Sequence, residues 1–245
     1  MPKVAQETWE IDGQSIPVYI YQERRRSNRI SITKRGVHIR IPIGFKTSNE
    51  ASWREWARTW LSKQLSKRPD IAERHNTKKY VDGYTVSTPY KDYVLRLSKS
   101  ERRSSKGVLD NDQILIEANQ DLSEAYLAKT IRTLMSRLIA GDQLERVKQR
   151  IHAINDHYFK LPIKDIRIKN NSSNWGSCSS NGNINISIKT LLAPTDVQDY
   201  IFVHELAHRL EMNHSPAYWD IVRKVMPDYE QKEDWLKANS HVCEL

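Results

Sequence analysis

The residues best suited to chemistry form the run His204-Glu205-Leu206-Ala207-His208. Residues four apart on an α-helix lie on one face, so both imidazoles can reach the same metal ion. Glu205 projects about 100° round the helix from His204, close enough to reach a water on that ion but poorly placed to bind it. The run therefore predicts two metal ligands and a general base, the arrangement of a zinc enzyme.

A catalytic zinc site needs a third protein ligand and an open position, whereas a structural site needs four protein ligands. We expect His214 to be the third ligand, because it falls in a short link after the motif. Glu230 and Glu233 are the alternative, since some zinc enzymes take a glutamate about twenty residues beyond the second histidine. Both lie in a polar run, DYEQKEDW, where acidic residues are expected in any case.

Local signals place the motif on a helix. Pro194 blocks extension upstream, and Thr195 with Gln198 reads as a capping box. Asn213 is the expected left-handed stop of this helix. Ser215-Pro216 then resembles the cap and first position of a second helix, which puts His214 in the tight link between the two.

Composition indicates a polar globular protein. The 245 residues are 38% hydrophobic and 28% charged. No apolar run has the length of a membrane span or a signal sequence, and two cysteines make no disulfide framework. We therefore expect a cytoplasmic protein without a membrane partner. The net charge is +9, and residues 1–121 carry +8 of it through 23 Lys and Arg against 15 Asp and Glu.

The order of predicted elements gives an α+β fold class. Hairpin signals and one Trp-bearing helix predict a β-rich region over residues 1–121, and no internal repeat is evident. Residues 122–245 predict a catalytic domain with a long helix, a small sheet, the motif helix and a following helix. This is the order of the zincin-like metallopeptidases.

The amino-acid sequence of the motifs also resembles that of a known family. WGSCSSNGNINISIKTLLAP followed by VHELAHRLEMNHSPAYW resembles the YgjP-like metallopeptidase family, and the similarity extends upstream through RRRSNRISITKRGVHIRIPIG. The motif helix is more distantly similar to those of the SprT and WLM metalloproteases. The resemblance implies that His204, His208 and His214 bind the metal and that Glu205 is catalytic. It also implies an Arg where this chain has Asn174, a departure that concerns substrate binding.

Several residues around the motif are candidates for substrate binding. Asn174 and Trp175 precede the strand that zincins use to hold substrate, although a packed turn with Trp175 as its plug is the alternative. The strand around Ile184 and Ile186 comes directly before the motif helix, so we expect an extended substrate to pair along it. Tyr218 is a candidate donor to an oxyanion, and packing is its alternative role. For Cys178 we favour a buried structural thiol.

These observations predict a Zn²⁺-dependent peptidase that acts on extended or unfolded peptide segments. The competing hypothesis is a zinc-containing nucleic-acid-binding or adaptor protein with vestigial peptidase activity. The presence of Glu205 favours the enzyme, because zinc binding alone requires no base. The basic N-terminal half predicts nucleic acid as a further partner, against the plainer view that its charge is a solvated surface.

Overall fold

The computed structural model describes residues 3–12, 14–33, 36–43, 50–67, 80–171, 173–240 and 242–245. The chain divides into two compact units, Met1–Lys78 and Lys79–Leu245. Each has its own hydrophobic core. None of the described helices combines the length and apolar character needed to cross a bilayer.

The N-terminal unit is a four-stranded sheet with one helix. Its elements are β1 (Lys3–Ile11), β2 (Gln14–Glu23), β3 (Arg29–Thr33), β4 (Gly36–Pro42) and α1 (Glu50–Lys67). The strand order is β1-β2-β4-β3, with antiparallel hairpins joined by a parallel β2–β4 pair. Alternate residues of β2 and β4, such as Val18 and Ile39, are buried in one cluster with Trp53 and Leu61 of α1.

The second unit begins with another four-stranded sheet and a long helix. Its elements are β5 (Thr85–Ser87), β6 (Asp92–Ser100), β7 (Lys106–Asp110), β8 (Gln113–Asn119) and α2 (Glu124–Ile154). The order β5-β6-β8-β7 again has two antiparallel hairpins and a parallel central pair. Both units therefore contain the same strand topology followed by a helix, a repeat that was not evident from the sequence.

The rest of the second unit holds a small sheet and three helices. A π-helical turn (Asn155–Phe159) follows α2, and the strands are β9 (Asp165–Lys169), β10 (Gly176–Cys178) and β11 (Asn183–Ser187). A 3₁₀ segment (Ile188–Leu192) then leads into α3 (Thr195–Ala207), α4 (Pro216–Val225) and α5 (Tyr229–Asn239). In this sheet β11 is central, antiparallel to β10 and parallel to β9.

The boundary between the units differs from the predicted boundary at residues 121 and 122. One cluster of buried residues joins Leu95 and Ile116 of the second four-stranded sheet to Ile131 of α2 and Phe202 of α3. Cutting the chain at residue 121 would divide this core. The predicted fold class is confirmed: the fold is α+β, and its second unit has the zincin-like order of long helix, small sheet, motif helix and following helix.

Candidate metal centre

Helix α3 presents the motif from the middle of the core. Nine of its thirteen residues are buried, among them Val197, Ile201 and Leu206. The predicted capping box is wrong, because Pro194 is the N-cap and makes no side-chain capping bond. Gln198 instead donates from Nε2 to the carbonyl oxygen of Ala193 at 2.8 Å, which ties α3 to the 3₁₀ segment before it.

The motif helix ends earlier than predicted. It stops at Ala207, and His208 is its C-cap with helical backbone angles, so His204 and His208 still lie one turn apart. Asn213 does not have the left-handed conformation expected of a stop. The start of α4 is confirmed: Ser215 Oγ accepts the backbone N–H of Tyr218, and Pro216 occupies the first turn.

The structure brings three histidines together. One side-chain nitrogen each from His204, His208 and His214 lies within 4.8 Å of the other two, the one such group among the described residues. The Nε2 atoms of His204 and His214 are 3.2 Å apart. Two tetrahedral ligands at ~2.0–2.1 Å from a zinc ion lie roughly 3.3 Å apart, so this donor pair fits such an ion.

Burial favours the neutral, metal-binding form of two of the three histidines. Burial, together with the neighbouring imidazoles, lowers the pKa of His204 to about 3. Burial also lowers the pKa of His208. Nδ1 of His208 lies 3.2 Å from the carbonyl oxygen of Glu211, so its N–H can donate there and leave Nε2 to bind a metal. A neutral imidazole with its second nitrogen held in this way is the form a metal requires.

Glu205 lies beside this cluster and is 4% exposed. Burial raises the pKa of its carboxyl group to about 8. A Cβ atom placed on Gly176 of β10 would lie 2.5 Å from Glu205 Oε1 and 2.8 Å from its Cδ. The absence of a side chain at Gly176 therefore makes the space that the carboxyl group occupies. The sequence contained this glycine in the W-G-S-C run, but spacing alone gave it no role.

Strand β10, rather than β11, offers a free edge beside Glu205. Trp175 and Ser179 are bonded across to β11 through their backbones. By the alternation of an antiparallel ladder, Gly176 and Cys178 turn their backbone N–H and C=O groups to the open side. The expectation that Ile184 and Ile186 contact substrate is wrong, because β11 is paired on both sides and these side chains are 1% and 0% exposed.

A cavity of about 460 Å³ adjoins the cluster and is lined by Asn174, Trp175 and Gly176 together with residues from α3 and α5. Trp175 also belongs to a packed turn: its carbonyl oxygen accepts bonds from Thr190 Oγ1 at 2.9 Å and from the backbone N–H of Ser187, and its partly buried ring packs against the core. Lys189 Nζ lies 4.3 Å from its ring centroid. Both predicted roles of this segment, cleft wall and packed turn, are therefore compatible with its position.

The remaining predicted residues take supporting positions. Tyr218 is fully buried, donates its hydroxyl to the carbonyl oxygen of His204 at 3.1 Å and stacks on His208 at 4.7 Å. This bond makes it a support for the ligands rather than a free donor. Cys178 is outside the histidine group, and burial, with the Glu205 carboxylate, raises the pKa of its thiol to about 11.

The alternative third ligands do not join the group. Glu230 accepts from the Tyr229 hydroxyl at 3.3 Å, and Glu233 accepts from Lys237 at 3.3 Å. His214 is instead held against Trp219, whose ring stacks on it at 5.7 Å. The sequence did not single out Trp219, and its place three residues into α4 was the available signal.

Comparison with known proteins gives two similarities. The family model described as YgjP-like, metallopeptidase domain matches residues 26–239. A search of curated proteins found no match. Among solved structures, part of the chain is similar to the crystal structure of the metallopeptidase zymogen of Pyrococcus abyssi abylysin. The two sequences are 24% identical, the match covers 38% of this chain and 93% of that chain, and the TM-score is 0.36. At this TM-score the similarity does not define the fold.

The family model spans most of the chain, from Arg26 just before β3 through the whole motif region. The three clustered histidines and Glu205 lie inside the matched residues. The chain belongs to the YgjP-like metallopeptidase family.

Proposed function

We propose that this protein is a zinc-dependent peptidase in which Glu205 is the general base. The observation that carries the proposal is the grouping of three histidines next to the buried Glu205, beside a cavity that His204, Glu205 and Gly176 of the open strand edge line together. Each part has a defined use in hydrolysing a peptide bond. No single part would be sufficient, because a histidine cluster alone is also compatible with a structural metal site.

His204, His208 and His214 would hold the ion and leave a position open. The three-histidine donor set, without a thiolate or carboxylate, is one that zinc uses in catalytic sites. Zinc bound there would lower the pKa of a water and polarise the substrate carbonyl. The bond from His208 Nδ1 to the Glu211 carbonyl orients the His208 ring, and Tyr218 stacks on that ring and bonds to the backbone carbonyl of His204.

Glu205 moves the protons of the reaction. Its carboxylate accepts a proton from the attacking water as the oxygen bonds to the scissile carbon. The same carboxyl group then donates that proton to the amine nitrogen as the C–N bond breaks. Water and a peptide bond thereby become a carboxylic acid and an amine. Glu205 is buried beside the metal ligands, so bulk water has little access to the proton that it holds between the two steps.

Substrate would add to the sheet along β10. The outward backbone groups of Gly176 and Cys178 supply a donor and an acceptor each for an antiparallel peptide. Pairing through the main chain requires an extended segment, and folded proteins rarely expose one. We therefore expect unfolded or flexible protein segments to be the substrates. This assignment replaces β11, the strand favoured by the sequence.

The alternative function, a zinc-containing binding or adaptor protein, accounts for fewer of these features. A structural zinc site takes four protein ligands, and the described residues group only three. Such a protein would also have no use for a buried carboxylate fitted against a glycine. Nothing in the geometry favours this alternative over the peptidase.

The proposal is tested by metal removal and replacement. Purified protein is assayed on an unfolded and a folded form of one test protein, before and after chelation and after Zn²⁺, Mn²⁺ or Co²⁺ is restored. We expect cleavage of the unfolded form, loss of cleavage on chelation and recovery with zinc. Full activity of the chelated, metal-free protein would refute the metallopeptidase proposal. Recovery with manganese alone would refute zinc as its ion.

A further inference from the structure

The cavity next to the metal ligands can also select the substrate. Gly176 of β10 and Glu205 of α3 both line it, so it adjoins the proposed substrate strand and the general base at once. Side chains of a peptide paired with β10 alternate between the two faces of the sheet. One residue flanking the scissile bond will therefore turn its side chain towards this space. This placement of the substrate side chain rests on the proposed function.

The walls of the cavity are mostly apolar. Trp175, Tyr200, Ile201 and Leu236 line it, and the last three are 3%, 2% and 8% exposed. A volume of about 460 Å³ is within the range of roughly 300–1,000 Å³ found for ligand pockets. The space is thus large enough for a bulky side chain, and contact with these walls removes apolar surface of that side chain from water.

The charges at the cavity disfavour an acidic side chain. Lys237 is the cation among its lining residues, and its Nζ already contacts Glu233 at 3.3 Å and Asp234 at 3.2 Å. A substrate carboxylate would meet Glu205 and Glu233 without a free cation in the lining. A basic side chain would have to compete with Lys237 for Glu233. An uncharged side chain meets neither obstacle.

We propose that this cavity is the specificity pocket of the enzyme and that cleavage occurs next to a large apolar residue such as Leu, Met, Phe or Trp. Leu236 lines the pocket from α5. It lies on a different element from the metal ligands, so its size can be changed without altering them.

The test is a series of peptides that differ at one position, scanned on each side of the scissile bond. At one of these positions, wild type should cleave peptides with Leu or Phe at least about tenfold faster in kcat/KM than those with Gly or Asp. Leu236→Trp should shift the preference towards Ala and Gly, and Leu236→Ala should shift it towards Trp. Ala238→Trp, an exposed position on the same helix outside the cavity lining, should leave the order unchanged.

The pocket proposal would be overturned if kcat/KM did not depend on the substituted residue at either position, or if peptides with Asp or Arg were preferred. It would also be overturned if Leu236→Trp kept the wild-type order of peptide preference. If Leu236→Trp does not fold, Leu236→Phe gives the same test with a smaller change in volume. Binding of the same peptides to a Glu205→Gln form separates this proposal from the proposed function. Peptides that bind in the predicted order but are never cleaved by wild type would refute the peptidase and leave the pocket standing.

Discussion

At the scale of single residues, the site depends on a side chain that is missing. Gly176 has no positive φ that would require glycine, so its backbone could accommodate alanine. The space, however, is filled by Glu205, whose carboxyl atoms lie within 2.8 Å of where a Cβ would be. Glycine here is explained by room for the base rather than by conformation.

Gly176→Ala should therefore reduce turnover through displacement of Glu205. We expect kcat to fall by roughly 10²-fold, the lower end of what general-base catalysis contributes. Zinc content should change little, because the three atoms nearest to the added Cβ all belong to Glu205 rather than to a metal ligand. The matched control is Gly141→Ala in α2, where an added Cβ meets nothing within 4 Å. Equal kcat in both variants, by steady-state assay, would show that Glu205 is not held by this contact.

Most of the metal site was predictable at this scale, because histidine spacing on a helix has direct geometric meaning. His204, Glu205, His208 and His214 were all identified in advance, and the structure places them together. The role of Gly176 was not predictable, because it depends on how close β10 lies to α3. Such a distance between elements far apart in sequence has no local signal.

At the scale of elements, the main correction concerns the substrate strand. The alternating residues of β11 marked it as a strand, but alternation does not say which strand lies at the edge of a sheet. The short segment Gly176–Cys178 had no strand signal, because it is three residues long and contains glycine. Its strand character comes from pairing with β11, a tertiary effect.

The edge assignment predicts a different response to backbone and side-chain changes at Cys178. Cys178→Pro removes an N–H that faces away from β11, so the sheet itself should persist. We expect KM for an extended peptide to rise by about fivefold to tenfold, because one hydrogen bond to the substrate is lost. Zinc content should be unchanged. Cys178→Ala keeps the N–H and isolates the contribution of the thiol. A KM that rises equally in both variants would place the effect on the side chain and contradict pairing along β10.

A second element-scale prediction concerns β1 and α1. Arg54 of α1 donates to both carboxylate oxygens of Glu7 at 2.6 and 2.8 Å, and Trp9 Nε1 donates to Glu7 at 2.8 Å. The Arg54 bonds, with further help from Trp9, lower the pKa of Glu7 from 4.5 to about 2. Because the folded-state pKa lies below the unfolded one, this stabilisation is present above about pH 4.5 and lost as the pH falls towards 2.

Glu7→Gln should therefore flatten the pH dependence of stability of the N-terminal unit between pH 4.5 and 2. The measurement is urea unfolding of the full chain at several pH values, read by hydrogen exchange in peptides from β1 and β2. Glu10→Gln removes a carboxylate from an exposed position of the same strand and serves as the control. An unchanged slope in Glu7→Gln, or an equal change in Glu10→Gln, would show that the Arg54 pair does not set acid stability.

At the scale of the whole molecule, the two units share a strand topology but differ in net charge. The same arrangement of two hairpins and a helix occurs in each unit, yet residues 1–78 carry 16 Lys and Arg against 8 Asp and Glu, net +8 of the total +9. The repeat was not recognised from the sequence, and the structure shows it through the shared strand order. The charge excess was visible, but its boundary required the structure.

Because the N-terminal unit carries the excess positive charge, binding of nucleic acid by this unit remains a prediction. Arg24, Arg26 and Arg29 are exposed, whereas Arg25 pairs with Glu23 at 3.6 Å. If these groups contact phosphates, affinity should fall steeply between roughly 50 and 200 mM salt. An Arg24/Arg26/Arg29→Ser variant should bind more weakly and with a shallower salt slope, by about one unit per lost contact.

The matched control for that experiment removes three exposed cations from α2, in a Lys129/Arg132/Arg137→Ser variant. Fluorescence anisotropy with single- and double-stranded DNA gives the affinities, and zinc content confirms that the second unit is intact. No binding at the lowest salt, or equal losses in the two variants, would leave the charge as a solvated surface.

The central claim, that Glu205 is the base of a three-histidine zinc centre, is tested most directly by measuring zinc content and turnover in the same variants. Glu205→Gln should keep about one zinc per chain, as expected when the ligands are intact, and lose turnover by roughly 10³-fold or more. His204→Ala, His208→Ala and His214→Ala should each lose zinc, while Glu230→Ala and Glu233→Ala should keep it. Full turnover in Glu205→Gln, or full zinc in His214→Ala with loss in either glutamate variant, would contradict the account.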